Sequence, residues 1–503
     1  MASVKPVMHG PRQLPPASFR PLAEQALSRA AGAPLSTGNR VDLLIDARAN
    51  FDAWLEAIRR ARHNILFGNY IFRDDEVGRE FVSALAERAS AGVQVCVLHD
   101  WLGCLGHSRA RFWQPLRTAG GEVRTFNPFD PLSPFGWVNR DHRKLLTVDD
   151  RVGFVSGVCV SAAWLGDPAR DREPWRDTGI ALRGPAVGDL VRAFTETWAT
   201  LGEPLPEHSN LHPDWVQPAG DVALRVIATQ PSSAGMYRMD QLIAALARER
   251  LWLTDAYFIG VAPYVSALIN AARDGVDVRL LVPGASDIPV VAALSRTGYR
   301  ALLEAGIRIY EWNGPMLHAK TAAADNLWAR VGSTNLNIAS WLGNCEIDVA
   351  IENKAFVQQL AEQYERDLEH ATEIVLSRRR ARPISPVPHH RHGSGSHGSA
   401  SRSAVGAMRM ATTLGAALGN RRVLSDTETR PLLGGALLLL AIAAVAVLWP
   451  WALAWPLGAL AAWIGISLAA RWLRMRQHRR RTSQSPTGVA SDTSASAPRD
   501  HDH

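Results

Sequence analysis

Two short segments of this 503-residue chain carry the same reactive side chains at the same spacing. The first reads His142-x-Lys144-x4-Asp149, the second His318-x-Lys320-x4-Asp325. Each lies in a short apolar stretch that reads as a strand, where residues i and i+2 share a face. Each imidazole is therefore expected beside an ammonium. That pairing suits phosphodiester chemistry. A phosphate's charge repels nucleophiles, and Lys144 and Lys320 offer compact cations to hold its oxygens and to stabilise the transition state. One neutral imidazole can attack phosphorus and form a covalent phosphohistidine. A second, protonated imidazole can donate to the leaving alkoxide. The two rings must then differ in protonation, which different surroundings can arrange.

The remaining candidates support those four groups. Asp149 and Asp325 complete each catalytic motif and are candidates for fixing its local geometry. Asp177 in WRDTGIALRGP and Glu346 in NCEIDVAIE occupy equivalent strand positions after each motif. A carboxylate behind an imidazole fixes its tautomer and stabilises the imidazolium, so these two are the candidates for orienting the rings. After the second motif, Gly332-Ser333-Thr334-Asn335 can approach a phosphate through its backbone, with Ser333 and Asn335 as phosphate-binding candidates. The first copy has Ser156-Gly157-Val158-Cys159 there and lacks the asparagine. Cys159 reads as a small buried packing residue rather than a reactive thiol. Two cations and two histidines make a metal unnecessary, and no carboxylate cluster has metal-ligand spacing. No metal or cofactor is expected. One such motif alone would be weak; two inside a wider repeat are a specific signal.

That wider repeat positions the motifs. NILFGNYIF (64–72) matches RLWLTDAYFI (250–259), and RASAGVQVCVLHD (88–100) matches AARDGVDVRLLVP (271–283). GGEVRTFNP (120–128) matches AGIRIYEWN (305–313), and DHRKLLTVDDRVGFVSG (141–157) matches LHAKTAAADNLWARVGS (317–333). Strand-like runs alternate with amphipathic stretches throughout 41–375, which predicts an α/β fold of two similar units, 41–205 and 222–375. GEPLPEHSNLHPDW breaks both periodicities between them. Residues 1–40 read as a loose arm without a secretory h-region. Four scattered cysteines argue against a disulfide framework.

Residues 376–430 read as a flexible basic linker, whose histidines at 389–397 fit a solvated tract better than a metal site. From Pro431 to Ala470 no residue is charged. That is twice the length needed to cross a bilayer, so 431–471 is expected to form two transmembrane helices turning at WPWALAWP (449–456), with a basic and then polar disordered tail over 472–503. Arginines flank both ends, which places both termini and the catalytic region in the cytoplasm. The net charge of +7 is unevenly spread. Residues 376–485 hold 16 Arg against two acids, which leaves 1–375 mildly acidic. Positive charge beside an apolar segment suits an anionic lipid surface, whereas a nucleic-acid enzyme carries its basic face on the folded domain. A nuclease is thus disfavoured, and two intact motifs disfavour an inactive scaffold.

The duplicated motif resembles the phospholipase D superfamily, and the wider match over 41–375 resembles bacterial cardiolipin synthases. The segments that carry it include Tyr70-Ile71-Phe72, HRKLLTVD, Tyr257-Phe258, GVDVRLLVPG, LHAKTAAAD, VGSTNLN and NCEIDVAI. The resemblance implies two α/β/α repeats sharing one site on a pseudo-two-fold axis, a covalent phosphatidyl-histidine and no metal. It implies His142 as nucleophile and His318 as acid and later base. Phosphatidylglycerol is the expected substrate, in a phosphatidyl transfer at the bacterial inner membrane. A hydrolase releasing phosphatidic acid from the same site is the alternative. Trp101, Trp137, Trp164 and Trp341 are candidates for a lipid path, with core packing as the competing reading. The chain departs from the family in placing its apolar spans at the C-terminus and in having SGVC where relatives show GG-x-N.

Overall fold

The computed structural model describes residues 19–130, 139–167, 169, 172–205, 217–376, 440, 443–445 and 447–482. The chain opens with helix α1 (Phe19–Ala31) and strand β1 (Ser36–Ile45). Then come α2 (Asp46–Arg60), β2 (Asn64–Asn69), α3 (Glu76–Ser90), β3 (Gln94–Asp100), α4 (Gln114–Thr118) and β4 (Glu122–Phe126). A hairpin of β5 (Lys144–Val148) and β6 (Val152–Ser156), then β7 (Thr178–Arg183) and α5 (Val187–Ala199), complete the first half. The second half runs through β8 (Val222–Thr229), α6 (Gly235–Leu246), β9 (Arg250–Thr254), α7 (Ala262–Arg273), β10 (Asp277–Pro283), α8 (Pro289–Glu304) and β11 (Arg308–Trp312). It continues with β12 (Thr321–Ala324), β13 (Trp328–Gly332), β14 (Glu346–Glu352), α9 (Lys354–Glu369) and β15 (Ala371–Ile374).

The fifteen strands of the described residues join in one sheet, ordered β15-β11-β10-β9-β12-β13-β14-β8-β1-β7-β6-β5-β2-β3-β4. Outward from the β1–β8 seam, the two halves have the same strand order. The first runs β1-β7-β6-β5-β2-β3-β4, the second β8-β14-β13-β12-β9-β10-β11, with β15 added at the edge. The seam is antiparallel, pairing Ser36 with Leu224 and Asn39 with Val222. Within each half the three outer repeat strands are parallel and the rest antiparallel.

Local sequence explains these elements. In α2 the buried Phe51, Trp54, Leu55 and Ile58 recur at helical spacing and form one apolar stripe. Asp75 caps α3, its carboxylate accepting from the Gly78 amide at 3.0 Å. Strands β2, β5 and β13 are buried along their whole length, as expected where both faces are covered. The β5–β6 and β12–β13 turns are tight because Asp149, Asp150 and Asp325 accept φ near +52°, a left-handed conformation that Asp and Asn tolerate better than most residues.

Several expectations are corrected here. Residues 19–40 are not a loose arm, since α1 and the first half of β1 lie in them and Leu27, Ala31 and Ala33 join the second half's core; residues 1–18 lie outside the described residues. The linker 376–430, from Ser377 on, also lies outside them. The turn expected over 449–456 is absent. Among the described residues Trp449 interrupts the helical ones, and α10 (Pro450–Thr482) runs on unbroken through Pro456 and the arginine run. Pro450 sits at the first helical position, where a missing N–H costs nothing, so its ring starts a helix instead of ending one. The tail expected to be disordered from 472 is therefore helical to Thr482. Among the described residues, no helix is long and apolar enough to cross a membrane. The sheet and α1–α9 form one compact unit, and α10 belongs to another.

Candidate active site

His142 and Lys144 stand at the start of β5, and His318 and Lys320 at the start of β12. In both copies the segment ahead of the motif pairs with the other half. The His142 amide donates to the Cys345 carbonyl at 2.9 Å, and the Cys345 amide to the Arg140 carbonyl at 2.7 Å. The Arg176 amide donates to the Met316 carbonyl at 2.9 Å, and the His318 amide to the Arg176 carbonyl at 2.7 Å. These cross-pairings put the approach to β5 beside β14 and the approach to β12 beside β7. Each histidine therefore meets the carboxylate of the opposite half.

His142 Nδ1 lies 2.8 Å from Glu346 Oε2, and His318 Nδ1 lies 2.8 Å from Asp177 Oδ2. Both carboxylates are fully buried. Burial would raise them, but His142 and Lys144 hold Glu346 below the usual carboxylate range. His318 and Lys320 likewise overrule burial at Asp177 and hold it at about 2. An ionised carboxylate only accepts, so each Nδ1 carries the proton and each Nε2 presents its lone pair. Further donors fix the carboxylates. Ser333 Oγ donates to Glu346 Oε2 at 2.6 Å, and Trp164 Nε1 to Asp177 Oδ2 at 2.9 Å. The first half cannot use a serine there, because a Cβ on Gly157 would stand 2.2 Å from Asp177 Oδ1.

Burial pushes both imidazoles down, His142 to about 4 and His318 to about 3, with the neighbouring ammonium groups adding to the effect. Both are neutral in the unliganded site at pH 7. The two lysines differ. Lys144 Nζ donates to the His142 carbonyl at 2.7 Å. Lys320 Nζ donates to the His318 carbonyl and also lies 3.0 Å from both Nδ1 and Nε2 of His318. An ammonium equidistant from the two ring nitrogens lies off the line of the Nε2 lone pair, so it acts on the ring as a nearby charge. Burial pulls Lys320 down to about 8.

Ser333 and Asn335 follow β13 and are buried, Ser333 against Glu346 and the Asn335 amide nitrogen 3.5 Å from Ser340 Oγ. The Asn335 amide oxygen has no partner among the described residues. Asp149 and Asp325 lie elsewhere. Each sits in the hairpin turn at the far end of its strand and accepts backbone amides: Arg62, His63 and Asn64 on Asp149 at 2.7–3.1 Å, and Arg248, Glu249 and Arg250 on Asp325 at 2.8–3.2 Å. They anchor β2 and β9 to the hairpins and do not touch the reacting groups, which corrects their grouping with the catalytic set. Seven strand residues beyond the histidine, a side chain is too far along to return.

Four aromatic residues line the site. Tyr70 packs edge-on to His142 with centroids 4.9 Å apart, and Lys144 lies over its ring. Tyr257 does the same at 5.9 Å from His318, beneath Lys320. Trp164 and Trp175 cover the other side of His318, at 5.3 and 6.0 Å. Motif spacing does not reveal the tyrosines as site residues. Their matching place at the ends of two repeated strands is the signal that finds them. Of the tryptophans expected on a lipid path, Trp164 is at the site, whereas Trp341 is core, donating to Asp240 and packing on Tyr264. Trp101 follows β3 half-buried, and Trp137 lies outside the described residues.

A paired-imidazole, paired-ammonium site built jointly by two equivalent halves defines a phosphodiester-transferring enzyme of the phospholipase D class. Comparison with known proteins narrows this. Residues 54–163 and 241–368 match the family described as cardiolipin synthase, PLD-like domain. The chain is 33% identical over 354 residues to a cardiolipin synthase of Halalkalibacterium halodurans, covering 69% of each chain. It is 34% identical over 364 residues to cardiolipin synthase A of Pseudomonas aeruginosa, covering 71% of this chain and 72% of that one. Among solved structures, a phosphatidylserine synthase of Haemophilus influenzae superposes with a TM-score of 0.54 at 14% identity, over 70% of this chain and 92% of that one, a likeness of fold. The chain belongs to the PLD-like cardiolipin synthase family.

Proposed function

We propose that the protein is a membrane-associated phosphatidyltransferase that makes cardiolipin from phosphatidylglycerol. The observation that carries this reading is the pair of buried, neutral imidazoles, each held through Nδ1 by a carboxylate of the opposite half, beside two lysines. In the proposed mechanism His142 Nε2 attacks the phosphorus of one phosphatidylglycerol. The P–N bond forms as the P–O bond to glycerol breaks. His318 protonates the departing glycerol oxygen, then takes the proton from the hydroxyl of a second lipid that resolves the phosphatidyl-histidine. Giving the attack to His142 follows from the resemblance to the phospholipase D superfamily. The arriving phosphate anion raises both imidazoles, and the proton settles on His318 because His142 becomes bonded to phosphorus. Lys144 and Lys320 hold the phosphoryl oxygens.

A lipid substrate suits a chain whose folded region is acidic and whose arginines flank an apolar stretch. The exposed Trp451, Trp455, Leu457 and Leu460 of α10, followed by its arginines, support membrane attachment through the C-terminal region. The proposed topology keeps the catalytic region and both termini in the cytoplasm.

The test uses purified protein in anionic mixed micelles with labelled phosphatidylglycerol. Cardiolipin with free glycerol is the expected product. Phosphatidic acid with glycerol would replace the transferase by a hydrolase. Acid-quenched enzyme should retain label in the wild type and lose it in His142→Asn.

A further inference from the structure

The two lysines face different partners across the strands. In the first half, the β2–β5 register pairs Asn69 with Lys144. In the second, the β9–β12 register pairs Thr254 with Thr321. One step further along, it sets Asp255 opposite Lys320. Residues directly opposite in an antiparallel pair share a face and sit within side-chain reach. One ammonium thus faces a neutral amide and the other a carboxylate.

Asp255 is fully buried and fixed in place. Its Oδ1 accepts from the Tyr257 amide at 2.9 Å, and its Oδ2 from the Leu336 amide at 2.8 Å. It therefore also joins the end of β9, which carries Tyr257, to the segment that carries Asn335. Asn69 takes the parallel place with weaker contacts, accepting from the Ile71 amide and donating to the Val158 carbonyl, both at 3.3 Å.

We infer that Asp255 is a positioning residue that keeps Lys320 charged from across the strand and so extends the pH range over which Lys320 holds a phosphate. The inference rests on the reading of the site as a phosphate site. Lys320 is faced by Asp177 ahead of β7, Lys144 on β5, Cys159 after β6, Asp255 after β9, and the His318 and Tyr257 rings. Burial and Lys144 work against its charge, while Asp177 and Asp255 favour it. Asp255 in turn feels Lys320 and Arg330, and burial pushes it up to about 7. Asp177 bears more strongly on Lys320 but is hydrogen-bonded to the His318 ring, whereas Asp255 accepts from backbone amides and faces Lys320 across the strand.

The experiment measures sulfate binding by calorimetry from neutral to alkaline pH, on wild type and Asp255→Asn, with thermal unfolding to verify folding. Sulfate keeps its charge over this range, so loss of binding reports the protein. Wild type should release sulfate as pH rises through about 8, and Asp255→Asn about one unit lower. The alkaline limb of lipid turnover should move with it. A folded variant that releases sulfate at the wild-type pH overturns the inference. Should Asp255→Asn unfold, Asn69→Asp tests the same claim. The added charge opposite Lys144 should weaken sulfate binding severalfold but leave the pH of release in place, and a shift of a unit or more overturns the inference. If sulfate shifts as expected while neither protein turns over lipid, the substrate reading fails and the role of Asp255 stands. Normal lipid turnover with an unmoved sulfate profile sinks the role of Asp255 alone.

Discussion

The two halves share a strand order but fill equivalent positions with opposite chemistry. Trp54 lies seven residues before the C-cap of α2, and Asp240 lies seven before that of α6, the two caps having the same backbone angles. Phe154 pairs with Ala181 in the first half where Arg330 pairs with Ala350 in the second. The first half thus packs Trp54 and Phe154 into one aromatic core with Phe51, Phe67 and Phe81. The second buries an ion pair, Arg330 NH1 on Asp240 at 3.0 Å, with Trp341 donating to the same carboxylate at 3.1 Å. Arg330 also donates to the Thr334 carbonyl at 3.1 Å, and Thr334 Oγ1 donates to Asp348. The polar core lies directly under the Ser333–Asn335 segment. Its counterpart rests on apolar packing and ends in Cys159. The second half is built to hold a polar loop, the first to give a rigid floor. A buried pair is poor evidence for stability and better evidence for a fixed geometry.

The strongest way to break this comparison is to exchange the histidines. His142→Asn should cost at least about 10⁴-fold in turnover and abolish the labelled adduct, whereas His318→Asn should cost about 10²–10⁴-fold. Adduct formation by His142→Asn, but not by His318→Asn, would reverse the roles of the halves. Next in size is the buried pair. Asp240→Asn should destabilise by about 3 kcal/mol in chemical denaturation, since it leaves buried Arg330 with Asp348, 3.8 Å away, as its remaining carboxylate. Asp240→Leu with Arg330→Phe, which imitates the first half, should regain most of that stability yet leave kcat/KM depressed through a loosened Asn335. Full activity in the double variant would show that the polar core does not serve the loop.

The acid side gives a smaller effect. Both imidazoles are buried neutral, so their contribution to stability is whole above the unfolded value of about 6.5 and is lost as pH falls to about 4 for His142 and about 3 for His318. Replacing both by Asn should flatten the stability profile, by on the order of 2 kcal/mol at pH 5.5 in urea unfolding. An unchanged slope would mean that the rings are protonated in the folded protein. The smallest contrast is at the loop tips. Asn335→Ala should lower kcat/KM about tenfold, the worth of one hydrogen bond, while Cys159→Ala should stay within about twofold. Equal losses would make both halves phosphate-binding.

The sequence carried much of this site because its signals are local. An i, i+2 pair survives in a string of letters, and so does a turn such as Asp149-Asp150. Asp177 and Glu346 were legible as ring-orienting candidates from their repeat positions. That each serves the other half's histidine was not, because chain proximity favours the partner in the same repeat and only the cross-pairing at Cys345 and Arg176 reverses it. Arg143 was equally hidden, although it reaches from the first motif to the Thr229 carbonyl at 3.0 Å and the Glu346 carbonyl at 3.3 Å. So was Arg176, bidentate on Asp367 at 2.8 Å. The second copy has Ala319 and Cys345 at those places. α1 escaped because its apolar residues match a groove that only the folded second half presents. The expected turn at 449–456 failed because a proline at a helix start and one that ends a helix look the same in sequence.

The exchange of carboxylates also bears on synthesis. His142 and Glu346 are 204 positions apart in the chain. At the pace of a ribosome, roughly 10–40 s separate the emergence of the first from that of the second. Through that interval a nascent first half carries His142 and Lys144, but its imidazole lacks the group that fixes the tautomer. The chain emerges unarmed, and the imidazole of His142 is set only once nearly the whole catalytic region has been made.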